Sequence, residues 1–229
     1  MLCFKNPIVL VTRPKTDSQR LIDALRTMSG SFVAINSPAF ENESLSIEIP
    51  EFDSAIFTSQ AGVIHAPRGN GRFAFCVGDA TANAAMDTGY VSISAGGSAD
   101  DLVALILSQR PDGALLHIRG EITHGEVAQQ LNEAGLFCQE VVAYRKAVRG
   151  PSQSAREVTS ENQMIIVPLF SVETVKILEK WALSLDGCTV VAISGPVAGA
   201  STVLSPLNTI ISNTPDFYAM LQATARLIA

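Results

Sequence analysis

The residues of this chain best suited to chemistry fall in short segments rich in Ser, Thr, Gly and Arg. They are Thr12-Arg13-Pro14, Thr58-Ser59-Gln60, Gly78-Asp79-Ala80-Thr81, Arg119-Gly120-Glu121, Ala143-Tyr144-Arg145, Phe170-Ser171 and Ser194-Gly195-Pro196. Each follows an apolar, strand-like run. In parallel α/β sheets that is where the carboxyl ends of strands and the helix N-termini beyond them form the ligand crevice. Small residues and hydroxyls there leave backbone N–H groups exposed, and the helix macrodipole favours negative charge. The chemistry expected is therefore capture of an anionic ligand. Thr58, Ser59, Thr81 and Ser171 equally suit plain helix capping. Arg13 and Arg119 read either as surface ion pairs of small worth or as bidentate carboxylate ligands.

Other site chemistries lack their context. Gly69-Asn70-Gly71-Arg72-Phe73-Ala74 spells G-x-G-x-x-A, but it precedes a strand, whereas dinucleotide binding needs it between a strand and a helix. The chain contains no G-x-x-x-x-G-K-[ST], H-E-x-x-H or G-x-S-x-G. His65, His117 and His124 lack the pairing of a zinc site. Cys3, Cys76, Cys138 and Cys188 are far apart, form no C-x-x-C, and read as buried, reduced thiols. Neither a metal nor a cofactor is expected.

The elements that must position these residues follow from periodicity. Strands are expected at Ile8–Thr12, Phe32–Asn36, Ser54–Phe57, Phe73–Val77, Val91–Ser94, Ala114–Ile118, Cys138–Ala143, Met164–Pro168, Thr189–Ile193 and Asn208–Ile211. Amphipathic helices are expected at Asp17–Met28, Ala80–Asp87, Asp100–Ser108, Gly125–Ala134, Glu173–Trp181 and Asp216–Leu227. Such alternation predicts an α/β fold with parallel sheets covered by helices.

An internal duplication sharpens that reading. PIVLVTRPKTDSQRLIDALRTMSGSFVAINSPAF matches GALLHIRGEITHGEVAQQLNEAGLFCQEVVAYRK, pairing Arg13 with Arg119. SAIFTSQAGV matches IVPLFSVETV, pairing Ser59 with Ser171, and CVGDATANAA matches AISGPVAGAS, with Gly78 set against Gly195. The chain reads as two copies of one α/β unit. Tandem domains dividing near residue 110 and a nested arrangement are equally consistent with it. In the nested version the polar, turn-prone crossings Ser37–Ser44 and Arg145–Ser154 connect the lobes.

Size and charge bound the rest. A 229-residue chain is comfortable as two domains. With 47% hydrophobic and 17% charged residues it can bury two cores and lacks the composition of a disordered chain. A net charge of −6 with no Lys/Arg run argues against a nucleic-acid binder. The N-terminus enters a strand with no signal-type apolar stretch, and no segment has transmembrane length, so a cytoplasmic protein is expected.

Taken in order, VTRP with its Q-x-x-L-x-x-x-L helix, FTSQAGV, CVGDATA, IRGE, VVAYRKA and ISGP resemble uroporphyrinogen-III synthase along nearly the whole chain. The resemblance implies two α/β lobes around a deep cleft, joined by a pair of strand connectors. It thus favours the nested division, 1–36 plus 149–229 and an inserted 38–145. It implies cyclodehydration of the linear tetrapyrrole hydroxymethylbilane to uroporphyrinogen III, with inversion of ring D and no cofactor. The expected form is a monomer acting on that small molecule, with no nucleic acid or membrane partner. Tyr144 takes the place of the family's tyrosine as the catalytic residue, while Ser59, Thr81 and Ser171 match hydroxyls facing the cleft. Arg13, Thr58, Gln60, Gly78, Arg119 and Gly195, from the segments that follow strands, complete the expected substrate-binding set. The chain departs from the family pattern at Ala198, where threonine is common, and at Leu169-Phe170-Ser171 in place of F-T-S. A non-catalytic, two-lobed tetrapyrrole- or anion-binding protein is the alternative reading, and a flavodoxin-like or nucleotide-binding enzyme a second.

Overall fold

A computed structural model describes residues 6–122, 125–159 and 164–228. Cys3 and His124 lie outside them. Contacts divide the chain into two compact units, one ending at Glu41 and resuming at Ala147, the other spanning Asn42–Lys146.

The second unit is built on β4 (Ser54–Phe57), β5 (Phe73–Cys76), β6 (Val91–Ser94), β7 (Leu115–Gly120) and β8 (Cys138–Val148). Helices α2 (Gln60–Ile64), α3 (Asp79–Asp87), α4 (Ala99–Gln109) and α5 (Val127–Glu133) connect them. The sheet order is β3-β8-β7-β4-β5-β6, where β3 is Phe40–Ser44, and the pairings among β4 to β8 are parallel. Side chains alternate across the sheet. Ala55, Phe57, Leu116 and Ile118 pack with α2 and α3 on one face, while Ile56, Phe75 and Leu115 pack with α4 and α5 on the other. Burial on both faces is why the strands read as continuous apolar runs.

The first unit follows the same plan. Its strands β1 (Ile8–Val11), β2 (Val33–Asn36), β9 (Ile165–Leu169), β10 (Thr189–Ala192) and β11 (Asn208–Ile211) form a parallel sheet ordered β11-β10-β9-β1-β2. Ile8 and Leu10 face one core, with α7 (Val172–Lys180) and α8 (Gly195–Ser201). Val9 and Val11 face the other, with α1 (Lys15–Met28) and α9 (Phe217–Ala225). In α1 the apolar residues Leu21, Ile22 and Leu25 fall on one buried stripe at helical spacing. The two sheets correspond strand for strand: β11, β10, β9, β1 and β2 match β6, β5, β4, β7 and β8. In the first unit the β1-α1-β2 piece leads the chain, whereas its counterpart β7-α5-β8 trails in the second.

Local geometry repeats as well. Ser59 caps α2 at φ −159°, ψ 157°, and Ser171 caps α7 at φ −157°, ψ 150°. Gly78 caps α3 at φ −161°, but its structural partner is Ser194, also at φ −161°. The pairing of Gly78 with Gly195 is therefore one residue out of step, because Gly195 is already helical. Thr81 and Val197, each the third residue of its helix and buried, are the corresponding pair.

Two expectations about the crossings need correction. Phe40–Ser44, read as part of a turn-prone connector, is a strand, and β8 runs through Arg145 to Val148 rather than ending at Ala143. The two are paired antiparallel, with Leu45 N–H donating to Ala143 O and Arg149 N–H to Ala39 O at 2.9 Å each. The signal is absent from the sequence because Phe40-Glu41-Asn42-Glu43-Ser44 has one apolar residue. Backbone pairing and the Arg145–Glu43 ion pair, at 3.2 Å, hold what side-chain burial does not. Helix α6 (Gln153–Thr159) also occupies part of the expected connector.

Candidate functional site

In the second unit the chain leaves β4 toward α2 on one face and leaves β7 toward α5 on the other. These adjacent strands diverge at their carboxyl ends, which makes a topological switch point and opens a crevice. A pocket of about 310 Å³ lies there, lined by Thr58, Ser59, Val77, Gly97, Ser98, Ala99, Gly120, Ile122 and Tyr144. A larger concavity of about 620 Å³, lined by Ile49–Asp53, Pro67, Arg72 and Ala114, sits at the opposite, amino ends of β4 and β7. Its place in the fold argues against it as the ligand site.

Tyr144 is delivered to the pocket by an irregularity. Along β7 and β8 the register runs Arg119 with Val142 and then Gly120 with Tyr144, so Ala143 is an extra residue. Bulges re-aim side chains, and here Ala143 is buried while its carbonyl turns to Leu45 N–H of the next strand. The ring of Tyr144 lies against Gly120, where a Cβ would stand 2.7 Å from it. Only glycine leaves room for the ring. The phenol oxygen is 3.0 Å from Ser59 Oγ, which also accepts the Gly62 N–H at 3.2 Å. His65 stacks on the ring at a centroid distance of 4.8 Å and is held by Ser44, 2.9 Å from its Nδ1. Burial moves His65 below its ordinary pKa, so the stacked ring is neutral near pH 7.

Beneath the pocket runs a second polar line. His117, in the apolar strand β7, is completely buried. Its Nε2 is 3.3 Å from Thr58 Oγ1 and its Nδ1 is 3.2 Å from Glu140 Oε1. Arg119 closes the line with a two-pronged contact, Nε to Oε1 at 3.2 Å and Nη2 to Oε2 at 3.3 Å. Burial pushes the imidazole well toward the neutral form, against the opposing charge of Glu140. For Glu140, partial burial works against ionisation, but the hydrogen bonds and charge of Arg119 outweigh it and hold the carboxyl below its ordinary range.

The structure therefore sorts the sequence-derived residues. It brings Thr58, Ser59 and Tyr144 together at the pocket, with Gly120 and Ser98. Gln60 is the exposed first residue of α2, Gly78 caps α3 without a side-chain bond, and Thr81 is buried in α3; none of them lines this pocket. Arg119 has its fork on Glu140 of its own chain. In the first unit Arg13 is likewise engaged, at 2.7 Å from Asp17 and with its guanidinium 4.1 Å over the Phe170 ring. Ser171 accepts Thr174 N–H at 3.1 Å as the cap of α7, and Gly195 is exposed at the start of α8. Sequence reasoning did not find the His117–Glu140 pair. Its signal was a lone histidine inside Leu115-Leu116-His117-Ile118, a position where an apolar residue is the rule. Among the described residues no group of three His, Cys, Asp or Glu is placed to hold a metal ion, and no helix is long and apolar enough to cross a membrane.

Comparison with known proteins adds a family and a fold. A family model described as uroporphyrinogen-III synthase HemD matches residues 9–222. The solved uroporphyrinogen-III synthetase of Helicobacter pylori is similar at 16% identity and a TM-score of 0.59, over 97% of this chain and 99% of that one. A mutant uroporphyrinogen III synthase from Thermus thermophilus aligns at 15% identity and a TM-score of 0.44, over 96% and 98%. A search of curated proteins finds no match.

Proposed function

The chain belongs to the uroporphyrinogen-III synthase family, enzymes of porphyrin biosynthesis, and from that premise we propose that it acts as a hydro-lyase through the pocket of its second unit. The reaction is closure of hydroxymethylbilane to uroporphyrinogen III with inversion of ring D. Family membership favours this over a non-catalytic tetrapyrrole binder. In the closure a C–O bond breaks and the hydroxyl leaves as water with an added proton. The substituted carbon of the terminal pyrrole bonds to the methylene so freed, its old bond to the neighbouring methylene bridge breaks, and that bridge rebonds at the ring's unsubstituted carbon, whose proton is lost and restores the donor.

The observation that carries the assignment of roles is the Ser59–Tyr144 hydroxyl pair, 3.0 Å apart at the switch point. Ser59 Oγ is fixed by the Gly62 N–H and Tyr144 by Gly120 and His65, so the phenol is a preorganised donor to the departing hydroxyl. Holding the flexible substrate in one conformation supplies the larger part, up to roughly 7–11 kcal/mol in favourable intramolecular cases. Backbone N–H groups support capture of the substrate carboxylates. Gly78 and Ser194 make no side-chain cap bond, which leaves the first turns of α3 and α8 to an anion. Arg13 and Arg119 act in this reading by tying the segment after β1 to α1 through Asp17 and β7 to β8 through Glu140. The free, buried thiols of Cys76, Cys138 and Cys188 support a reducing, cytoplasmic setting.

The test is to supply enzymatically generated hydroxymethylbilane and resolve type I from type III product. The wild-type chain yields type III. Tyr144→Phe keeps the ring packing and slows the reaction about a hundredfold, letting the uncatalysed type I isomer accumulate. An unchanged rate and isomer ratio in Tyr144→Phe would remove the tyrosine from the mechanism.

A further inference from the structure

The two units differ most sharply beneath the pocket. Strand registers match Val9 with Leu115, since they oppose Ile166 and Ser54, and backbone hydrogen bonds match Leu169 with Phe57. By the same registers Val11 corresponds to His117, Phe170 to Thr58, and Asn36 to Glu140. Where the first unit buries a valine beside a phenylalanine, the second buries an imidazole beside a hydroxyl. Burying an imidazole in a strand is costly unless both nitrogens are paired, and a replacement for valine shows that the fold does not need it.

The pairing has a direction. Glu140 is clasped by the Arg119 fork and is therefore an acceptor only, so His117 carries its proton on Nδ1. The ring is neutral, which leaves a lone pair on Nε2. Thr58 must then donate its hydroxyl proton to that nitrogen. Thr58 lines the pocket, and its hydroxyl, with the proton committed to His117, can only accept a further hydrogen bond. We propose that Glu140 and His117 lock the Thr58 hydroxyl as a hydrogen-bond acceptor, so that this corner of the pocket takes a substrate N–H of the pyrrole class and disfavours a carboxylate. The identity of that N–H donor rests on the family's substrate; the direction of the bond does not. Thr58 contacts the substrate, while His117 and Glu140 are positioning residues.

The direction is read from ¹⁵N NMR of the histidine-labelled protein near pH 7.5, taking the resonances lost in His117→Gln. Nδ1 in the protonated range with Nε2 unprotonated is expected; an Nε2–H tautomer or an imidazolium overturns the proposal whatever the enzyme does. Kinetics on hydroxymethylbilane then test the use. Thr58→Val and His117→Val, the latter borrowing the residue of the first unit, each raise KM about tenfold with a smaller change in kcat, the net worth of one hydrogen bond. The double variant loses no more than Thr58→Val alone, because His117→Val only frees the Thr58 hydroxyl to turn, and no hydroxyl is left to orient once Thr58 is valine. Additive losses overturn it. If His117→Val does not fold, Thr58→Ser against Thr58→Val carries the same comparison: Ser keeps the KM, and equal KM values for the two overturn the proposal. A wild-type chain that made no type III product would sink the functional reading and leave the tautomer result standing.

Discussion

Tyr144 and Gly120 form one device at the scale of single residues. The ring occupies the space a side chain would need, since a Cβ on Gly120 would stand 2.7 Å from Cε2 and 2.8 Å from Cζ. Gly120→Ala therefore swings the phenol away from Ser59. The expected outcome is a rate loss comparable to that of Tyr144→Phe, with a stability cost of about 1–3 kcal/mol from overpacking. In a Tyr144→Ala background the same alanine costs no further rate, because its steric partner is gone. Steady-state rates of the single and double variants decide this, and equal additional losses in both backgrounds would show that Gly120 acts elsewhere. Burial rather than any catalytic demand explains the thiols. Cys76, Cys138 and Cys188 are each pushed up to about 12 by burial, so none is an available nucleophile at neutral pH.

Element α2 owes its placement to a close approach. Gly62 sits where a Cβ would meet the Ile118 carbonyl oxygen of β7 at 2.6 Å, and a backbone atom cannot step aside as a flexible side chain does. The same residue donates its N–H to Ser59, so the helix, its cap and the pocket hydroxyl are positioned together. Gly62→Ala lifts α2 from the strand. Its urea midpoint should fall by the equivalent of about 1–3 kcal/mol, and type III formation should drop with it. An unchanged midpoint would mean that α2 accommodates the methyl group by sliding. The helix is only five residues long, so packing, not propensity, holds it. That is also why it had no helical period to be read from sequence.

For the whole molecule, the division into two units has a consequence that the buried thiols report. Cys76 and Cys138 lie in the cores of the second unit, on opposite faces of its sheet, and Cys188 lies in the first. Native protein should resist a thiol reagent at all three. In graded urea, mass-resolved labelling should show Cys76 and Cys138 becoming reactive together, since one sheet supports both cores, while Cys188 follows the stability of its own unit. Labelling of Cys76 without Cys138 would show that the two faces of the second unit open independently.

The sequence by itself determined the α/β alternation, nearly every central strand, the duplication and the candidate hydroxyls Thr58, Ser59 and Tyr144. These are legible because burial on both faces demands continuous apolar runs, and because small polar residues must follow strands where helices begin. Most boundaries moved by a residue or two, as with α1 starting at Lys15 instead of Asp17. Tertiary structure alone decided that β1 pairs with β9 as well as β2, since pairing partners distant in sequence leave no local periodicity. It alone showed Phe40–Ser44 as a strand, because that segment is held by backbone bonds and an ion pair, neither of which selects apolar residues. It decided the fates of Arg13 and Arg119, whose partners Asp17 and Glu140 are set by side-chain direction. The line from Arg119 through Glu140 and His117 to Thr58 draws on three strands that only sheet order brings side by side, and the burial of its imidazole is a property of the folded chain and not of any segment within it.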